Sequence, residues 1–206
     1  MSDDRTSRDA IEQAYPQSFK ELCGYVDILA SRGIEWGLLG PREGDRLWSR
    51  HIANSLALVD PIPLGVTVVD VGSGAGLPGL PLALARTDLG VTLVEPLLRR
   101  SNFLELAVDE LGIGERVRVL RARAEETKER FDVVVCRAVA PLDKLLRWTT
   151  PLLEPGGQLI ALKGESAEDE IRGASPLLKK LGLRAEVLEL RAAQGVDGTR
   201  AIRVSR

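Results

Sequence analysis

The 206-residue sequence is poor in the residues that build metal centres and disulfide scaffolds: it has two cysteines and one histidine. Cys23 and Cys136 lie far apart, in segments of different character, which argues against a disulfide framework and against a zinc site. No metal is expected. Long apolar runs are also missing. Nothing approaches the roughly 18 residues needed to cross a bilayer, and the opening Met1-Ser2-Asp3-Asp4-Arg5 is polar and unlike an export signal. We therefore expect a cytoplasmic protein without membrane contact, with any disorder confined to the first few residues. Neither sign of charge dominates: 28 Lys and Arg against 30 Asp and Glu give a net charge of −2. That balance excludes a domain that is basic throughout, so any nucleic-acid contact has to come from a local patch. Arginine is abundant and lysine scarce. The planar guanidinium suits bidentate phosphate contacts, although GC-rich coding produces the same bias.

What is present is ordinary globular material, 44% hydrophobic and 28% charged, long enough for one large domain with a sizeable core. We read residues 1–206 as a single domain, with an N-terminal helical portion over 1–62 and an α/β core over 63–206. Ile11, Ala14, Phe19, Leu22, Val26 and Leu29 recur at three- and four-residue steps and predict a helix pair over 9–32, broken near Pro16. Glycines punctuate 33–44. A further helix is expected over 46–58 and is ended by Pro61 and Pro63. Beyond Gly65 the pattern changes to short apolar runs over 66–71, 91–94, 117–120, 133–136 and 158–162, alternating with helical stretches over 78–86, 98–111, 142–153 and 168–181. That alternation predicts a parallel sheet covered by helices. The tail differs, because the β-prone runs 184–190 and 201–205 flank a turn-rich Gln194-Gly195-Val196-Asp197-Gly198 and read as a hairpin. The expected fold is α/β, a mostly parallel seven-stranded sheet with a C-terminal antiparallel hairpin and an N-terminal helical cap, an ending that resembles the class I (Rossmann-like) methyltransferases.

The first strand runs directly into Gly72-Ser73-Gly74-Ala75-Gly76-Leu77-Pro78-Gly79. Glycines between a strand and a helix let a ligand approach the backbone closely at a switch point of the sheet. Gly74 to Gly79 also satisfies the G-x-G-x-x-G dinucleotide fingerprint, so the motif alone admits a nicotinamide cofactor. Asp70, two residues before the first glycine, gives Asp-x-Gly-x-Gly-x-Gly, which resembles the adenosylmethionine loop. A pyrophosphate would be repelled by that carboxylate, and Pro78 takes an amide away from a phosphate cradle. Glu95 ends the second strand about 20 residues on, where either cofactor would use a carboxylate on its ribose hydroxyls. After the third strand, Ala124-Glu125 occupies the position where similar enzymes contact adenine, with Glu126 an adjacent competitor.

The fourth strand ends in Val135-Cys136-Arg137-Ala138-Val139-Ala140-Pro141. The Asn/Asp-Pro-Pro-aromatic motif of enzymes that methylate adenine's exocyclic nitrogen is missing there. Cys136 stands where C5-directed enzymes place a nucleophile, but the usual neighbouring proline is absent, and a buried inert thiol is the expected reading.

Five ordered blocks then resemble one family, the bacterial small-subunit ribosomal RNA guanine-N7 methyltransferases, also called glucose-inhibited division protein B. They are Arg50-His51-Ile52-Ala53-Asn54-Ser55-Leu56, the stretch Asp70 to Leu82, Val94-Glu95-Pro96-Leu97-Leu98-Arg99-Arg100-Ser101-Asn102-Phe103-Leu104, Arg137-Ala138-Val139-Ala140-Pro141-Leu142, and Leu162-Lys163-Gly164. The resemblance implies methyl transfer from S-adenosylmethionine, leaving S-adenosylhomocysteine. It implies cofactor contact by Gly72, Leu77, Ala124, Glu125 and Arg137, with Glu95 on the ribose; Asp70, Ser73, Gly74 and Gly76 are cofactor candidates from the glycine-rich turn itself. The expected partner is small-subunit ribosomal RNA, naked or in the assembled subunit, met by a monomeric enzyme.

Guanine N7 carries an in-plane lone pair and no proton, so its methylation requires orientation and no general base. Arg137 and Lys163, at the ends of adjacent strands, are the candidate catalytic residues, as donors that would orient the base. Asn54 stands where the family often has Asp, which removes a charge and any base role at that position. His51 reads equally as a structural histidine or as a contact on the substrate side. Asn54 is, with His51, Arg50, Arg99, Arg100 and Arg123, a substrate-binding candidate; Arg42, Arg46, Arg50, Arg99, Arg100, Arg121 and Arg123 are the candidates for a phosphate-binding rim, with a scatter of solvated arginines as the competing picture. A methyltransferase acting on another RNA or a small molecule, and a non-catalytic binder of adenosylmethionine or RNA, remain open alternatives.

Overall fold

The computed structural model describes residues 3–206. Asp3 accepts the Thr6 amide at 2.7 Å and caps helix α1 (Asp4–Ala14), so the expected disorder at the chain start does not extend to Asp3; Met1 and Ser2 lie outside the described residues. Helix α2 (Phe19–Ile28) follows and continues into a π-helical turn over Leu29–Gly33. The single helix expected over 46–58 is instead a 3-10 segment (Pro41–Arg46), a π-helical turn (Leu47–Ile52) and the short α3 (Ala53–Leu56). Such wide turns recur at functional positions, and this one carries Arg50 and His51.

The core is a seven-stranded sheet in the order β3-β2-β1-β4-β5-β7-β6. Its strands are β1 (Thr67–Val71), β2 (Gly90–Val94), β3 (Val117–Leu120), β4 (Phe131–Arg137), β5 (Leu153–Lys163), β6 (Arg184–Leu190) and β7 (Thr199–Ser205). The first five are parallel, and β7 inserts antiparallel between β5 and β6. The fold expected from the sequence is therefore borne out, hairpin included. Helices α4 (Gly79–Ala85), α5 (Leu98–Glu110), α6 (Leu142–Thr149) and α7 (Ala167–Leu181) cover it.

Alternation along the strands divides the core in two. Val68, Val133, Val135, Ile160 and Leu162 pack with the N-terminal helices, α4 and α5, while Val69, Val71, Val134, Cys136, Leu159 and Ala161 pack with α6 and α7. On α5, Phe103, Leu104, Ala107 and Val108 form the buried stripe; each of the larger side chains contributes about 1.5–3 kcal/mol on burial. Arg86 fastens the end of the helical portion to α4 by donating to the Val59, Ile62 and Pro63 carbonyls. Strand β5 begins five residues earlier than its apolar run. Phe131 pairs with Leu153 and Val133 with Gln158, so residues 154–157 bulge from the ladder. Gly157 is required there, because a Cβ would sit 2.8 Å from the Asp132 carbonyl oxygen.

Candidate functional site

The glycine turn after β1 takes its shape from three alternate residues in the left-handed region, Gly72 (φ 71°), Gly74 (φ 58°) and Gly76 (φ 96°), where other residues would be strained. Five of its amides are already engaged inside the protein. Those of Gly72 and Ser73 donate to the Val94 carbonyl, those of Gly76 and Leu77 to the Ser73 carbonyl, and that of Gly74 to Glu95 Oε2 at 3.0 Å. The turn presents a shaped wall rather than a row of free N–H groups, which disfavours a pyrophosphate and with it a nicotinamide cofactor. Asp70 does not face the ligand side. It is fully buried, its Oδ2 accepts the Gly79 amide at 2.9 Å, and its Oδ1 has no partner among the described residues. Burial pushes its pKa up to about 7, against the pull of the Gly79 amide, Ser73 and the Arg137 charge. Asp70 thus shapes the turn from behind, drawing α4 against β1. A Cβ on Gly79 would lie 2.8 Å from Asp70 Oδ2.

Beyond the C-terminal ends of β1, β2 and β4 lies a cavity of about 620 Å³, within the range of cofactor pockets. Gly72 to Ala75, Leu77, Glu95, Leu97, Ala124, Glu125, Arg137, Val139 and Trp148 line it, with Leu38 and Leu39 from the N-terminal portion. Glu95 is 2% exposed, and its two oxygens accept the Gly74 and Leu97 amides at 3.0 Å each. Each oxygen keeps a second lone pair for a hydroxyl donor. Of the two competing acids, Glu126 caps its own turn by accepting the Arg123 amide, and Glu125 faces the cavity. Arg100 and Arg123, expected at the RNA, line this same cavity, with Arg100 3.9 Å from Glu95.

A second cavity of about 470 Å³ adjoins the first and shares Arg137, Ala138 and Val139 with it. Arg50, His51, Asn54, Lys163, Glu170 and Thr199 also line it. The wall between the two is tightly built. Ala138 has φ 52°, and Val139 packs so closely on Gly72 that a Cβ there would meet it at 2.9 Å.

Arg137 and Lys163 leave opposite faces of the sheet, since Arg137 pairs with Leu162, one residue before Lys163. Lys163 is tied into the protein by Glu170 Oε2 at 2.7 Å and the Ala140 carbonyl at 2.6 Å, while Glu170 also accepts the Leu142 amide. This arrangement pins the far end of the dividing wall. Arg137 points toward the helical portion, where its Nη2 donates to His51 Nδ1 at 2.8 Å; His51 Nε2 in turn lies 2.6 Å from Glu43 Oε2. A guanidinium only donates, so Nδ1 must accept and the ring proton sits on Nε2, directed at Glu43. Burial, and next the Arg137 charge, hold the His51 pKa down at about 4, against the opposing pull of Glu43. The imidazole is neutral at neutral pH.

Among the expected rim residues, Arg50 opens on the second cavity, while Arg99 lies apart in a shallow depression with Trp36, Leu98 and Asn102. Arg42, Arg46 and Arg121 are exposed. Cys136 lies on the α6 and α7 face; burial and then the Asp70 charge push its thiol up to about 12, as expected of an inert cysteine. Sequence reasoning missed Glu43, Leu38 and Leu39, which lie in a glycine-punctuated stretch without periodicity. It also missed Trp148, whose helical spacing reads as core, and Tyr25, whose buried hydroxyl donates to the Ala75 carbonyl at 2.7 Å and supports the glycine turn. No group of three or more metal-ligating side chains is found among the described residues, and no described helix is long and apolar enough to cross a membrane.

The profile of the family described as rRNA small subunit methyltransferase G matches residues 18–195. Ribosomal RNA small subunit methyltransferase G of Streptomyces avermitilis is 50% identical over 187 residues, 89% of this chain and 78% of that protein. Its counterpart in a Nocardioides species is 55% identical over 183 residues, 87% of this chain and 73% of that protein. Among solved structures, a SAM-dependent methyltransferase from Aquifex aeolicus superposes with a TM-score of 0.57 at 18% identity, covering 74% of this chain and 89% of its own. M. jannaschii TYW2 in complex with AdoMet superposes with a TM-score of 0.56 at 19% identity, covering 73% and 71%. These likenesses establish the fold, a Rossmann-like methyltransferase sheet.

Proposed function

The chain belongs to the rRNA small subunit methyltransferase G family, and from that premise we propose that it methylates N7 of a guanine in small-subunit ribosomal RNA with S-adenosylmethionine as donor. The observation that carries this reading is the pair of adjoining cavities divided by Arg137, Ala138 and Val139. The larger one fits the donor. Glu95 offers acceptors to ribose hydroxyls, Ala124 and Glu125 stand at the adenine position, Trp148 adds an aromatic wall, and the turn from Gly72 to Leu77 closes the side with most of its amides already bonded inside the protein rather than turned to a phosphate. Bound there, S-adenosylmethionine supplies an electrophilic methyl group on its sulfonium and leaves as S-adenosylhomocysteine.

The smaller cavity takes the guanine. N7 has to present its lone pair to the methyl group, so the donors of this chain belong on O6, where a guanidinium binds well. Arg137 supplies them at the junction, with Asn54 and the exposed Arg50 on the side where the RNA backbone enters. Lys163 supports the wall rather than the base, its charge being matched by Glu170. No side chain has to remove a proton, and His51, the imidazole at the site, is occupied at both nitrogens. Catalysis is then a matter of alignment.

The test is to incubate the protein with methyl-labelled S-adenosylmethionine and small ribosomal subunits that lack the modification. Label in the RNA is expected. Label only in a metabolite fraction would assign a small-molecule methyltransferase, and binding without any transfer would assign a non-catalytic binder.

A further inference from the structure

We propose that His51, itself oriented by Glu43, is the positioning residue that holds the Arg137 guanidinium at the junction of the two cavities. The inference rests on the methyl-transfer reading above and deepens it.

Arg137 is the last residue of β4, and the backbone turns out of the sheet at Ala138 immediately after it. A long side chain at a strand end loses much rotamer freedom when it is fixed. His51 Nδ1 is the only side-chain hydrogen-bond partner of Arg137 among the described residues. The imidazole is well suited to the task. It is 4% exposed, it sits in the π-helical turn, and Ser55 Oγ ties the His51 carbonyl at 2.7 Å. Glu43 takes its other nitrogen and so fixes both the tautomer and the ring plane.

The choice of a neutral acceptor has an electrostatic consequence. Lys163 is held by a carboxylate and its charge is matched, whereas Arg137 is held by an uncharged ring and keeps its charge for a ligand. The charged and titratable groups facing this chain are Glu43 and Arg50 on the His51 side, with Tyr25 and Asp70 behind Arg137. A protonated His51 would repel Arg137 and present it with a donor in place of an acceptor. The ring's low pKa, near 4, keeps that state away at neutral pH.

His51 is the only histidine in the chain, so its ring nitrogens give the sole imidazole signals in a nitrogen-15 histidine spectrum. The expected spectrum is a neutral ring with the proton on Nε2 from pH 8 down to about pH 5, with the Nδ1 signal moving when Arg137 is replaced by Lys. In methyl-transfer assays His51→Ala should lower kcat about 10- to 100-fold. KM for the RNA should stay within about threefold, and the variant should stay folded at the assay temperature, with a melting temperature lowered by several degrees because a buried, doubly hydrogen-bonded ring is lost. His51→Gln, whose amide both donates and accepts, should recover most of the loss. A protonated ring at pH 7, a proton on Nδ1, or an Ala variant turning over within twofold of wild type would overturn the proposal. If His51→Ala fails to fold, the spectrum and the Gln variant still decide. If the wild-type protein labels no small-subunit RNA, the proposed reaction falls, and the spectrum judges the positioning by itself.

Discussion

Replacing Asp70 with Asn should stabilise the protein increasingly as pH rises, relative to wild type, and by an amount the structure sets. Asp70 is fully buried, one of its oxygens has no partner among the described residues, and burial raises its pKa from 3.8 to about 7. The folded-state value lies above the unfolded one. Between these two pH values the unfolded chain has released the proton and the folded chain still holds it, so stability falls as pH rises through the window. Between pH 5 and pH 8 this amounts to about 2–3 kcal/mol. His51 works in the opposite sense. Its folded value, near 4, lies below the 6.5 of a free imidazole, so its contribution is complete above pH 6.5 and is lost as pH falls toward 4. The two cancel in part in the wild-type curve. Subtracting wild type from Asp70→Asn removes the histidine, which both share, and isolates the carboxyl. Asn resembles the protonated acid in shape and keeps an oxygen for the Gly79 amide. The variant should therefore match wild type near pH 5 and exceed it at pH 8, by about 1 M in the urea midpoint. A stability difference between the two proteins that stays constant from pH 5 to pH 8 would refute the buried, strained carboxyl.

Three further perturbations address the cavities and the rim. Glu95→Ala leaves the Gly74 and Leu97 amides without their acceptor and removes the proposed ribose contact, so calorimetry should show S-adenosylmethionine affinity falling about 10- to 100-fold; a change within threefold would remove Glu95 from the cofactor site. Gly72→Ala combines a positive φ with a 2.9 Å approach to Val139 and should cost about 3 kcal/mol. That lowers the melting temperature by about 6–12 °C, and an unshifted melt would mean the dividing wall yields easily. Replacing the exposed Arg50 and Arg99 together with Ala should weaken RNA binding at low salt and flatten the salt dependence by about one charge per arginine. An unchanged slope would place the phosphate contacts elsewhere.

Much of the fold was legible because strands buried on both faces must be continuous apolar runs, and the valine-rich segments ending at Val71, Val94 and Cys136 are such runs. The turn after Val71 announced itself through glycines that the structure shows at positive φ. What escaped depends on relations between distant residues. The start of β5 is hidden because Glu154-Pro155-Gly156-Gly157 reads as a break, while in space it is a bulge closed against Phe131 and Asp132. Arg137 and Lys163 end adjacent strands, but a one-residue offset in register sends them to opposite faces, and no single-strand pattern contains that register. Asp70 was legible as a member of the motif, and its place behind the turn follows only from the packing of α4 on β1. Glu43 lies eight residues before His51, across a 3-10 segment and a π-helical turn that no proline or glycine within 46–58 signals, so its partnership with the histidine depends on the local path of the backbone.

The proposed delivery of a methyl group to guanine N7 in small-subunit ribosomal RNA can be read directly from the product. Methylated small-subunit RNA recovered from the reaction can be digested to nucleosides and fragments and analysed by mass spectrometry against synthetic standards. A single new product is expected, 7-methylguanosine, confined to one fragment and absent when Arg137→Ala replaces the wild-type protein. A methyl group on a ribose, on an exocyclic nitrogen or on a base carbon would contradict it.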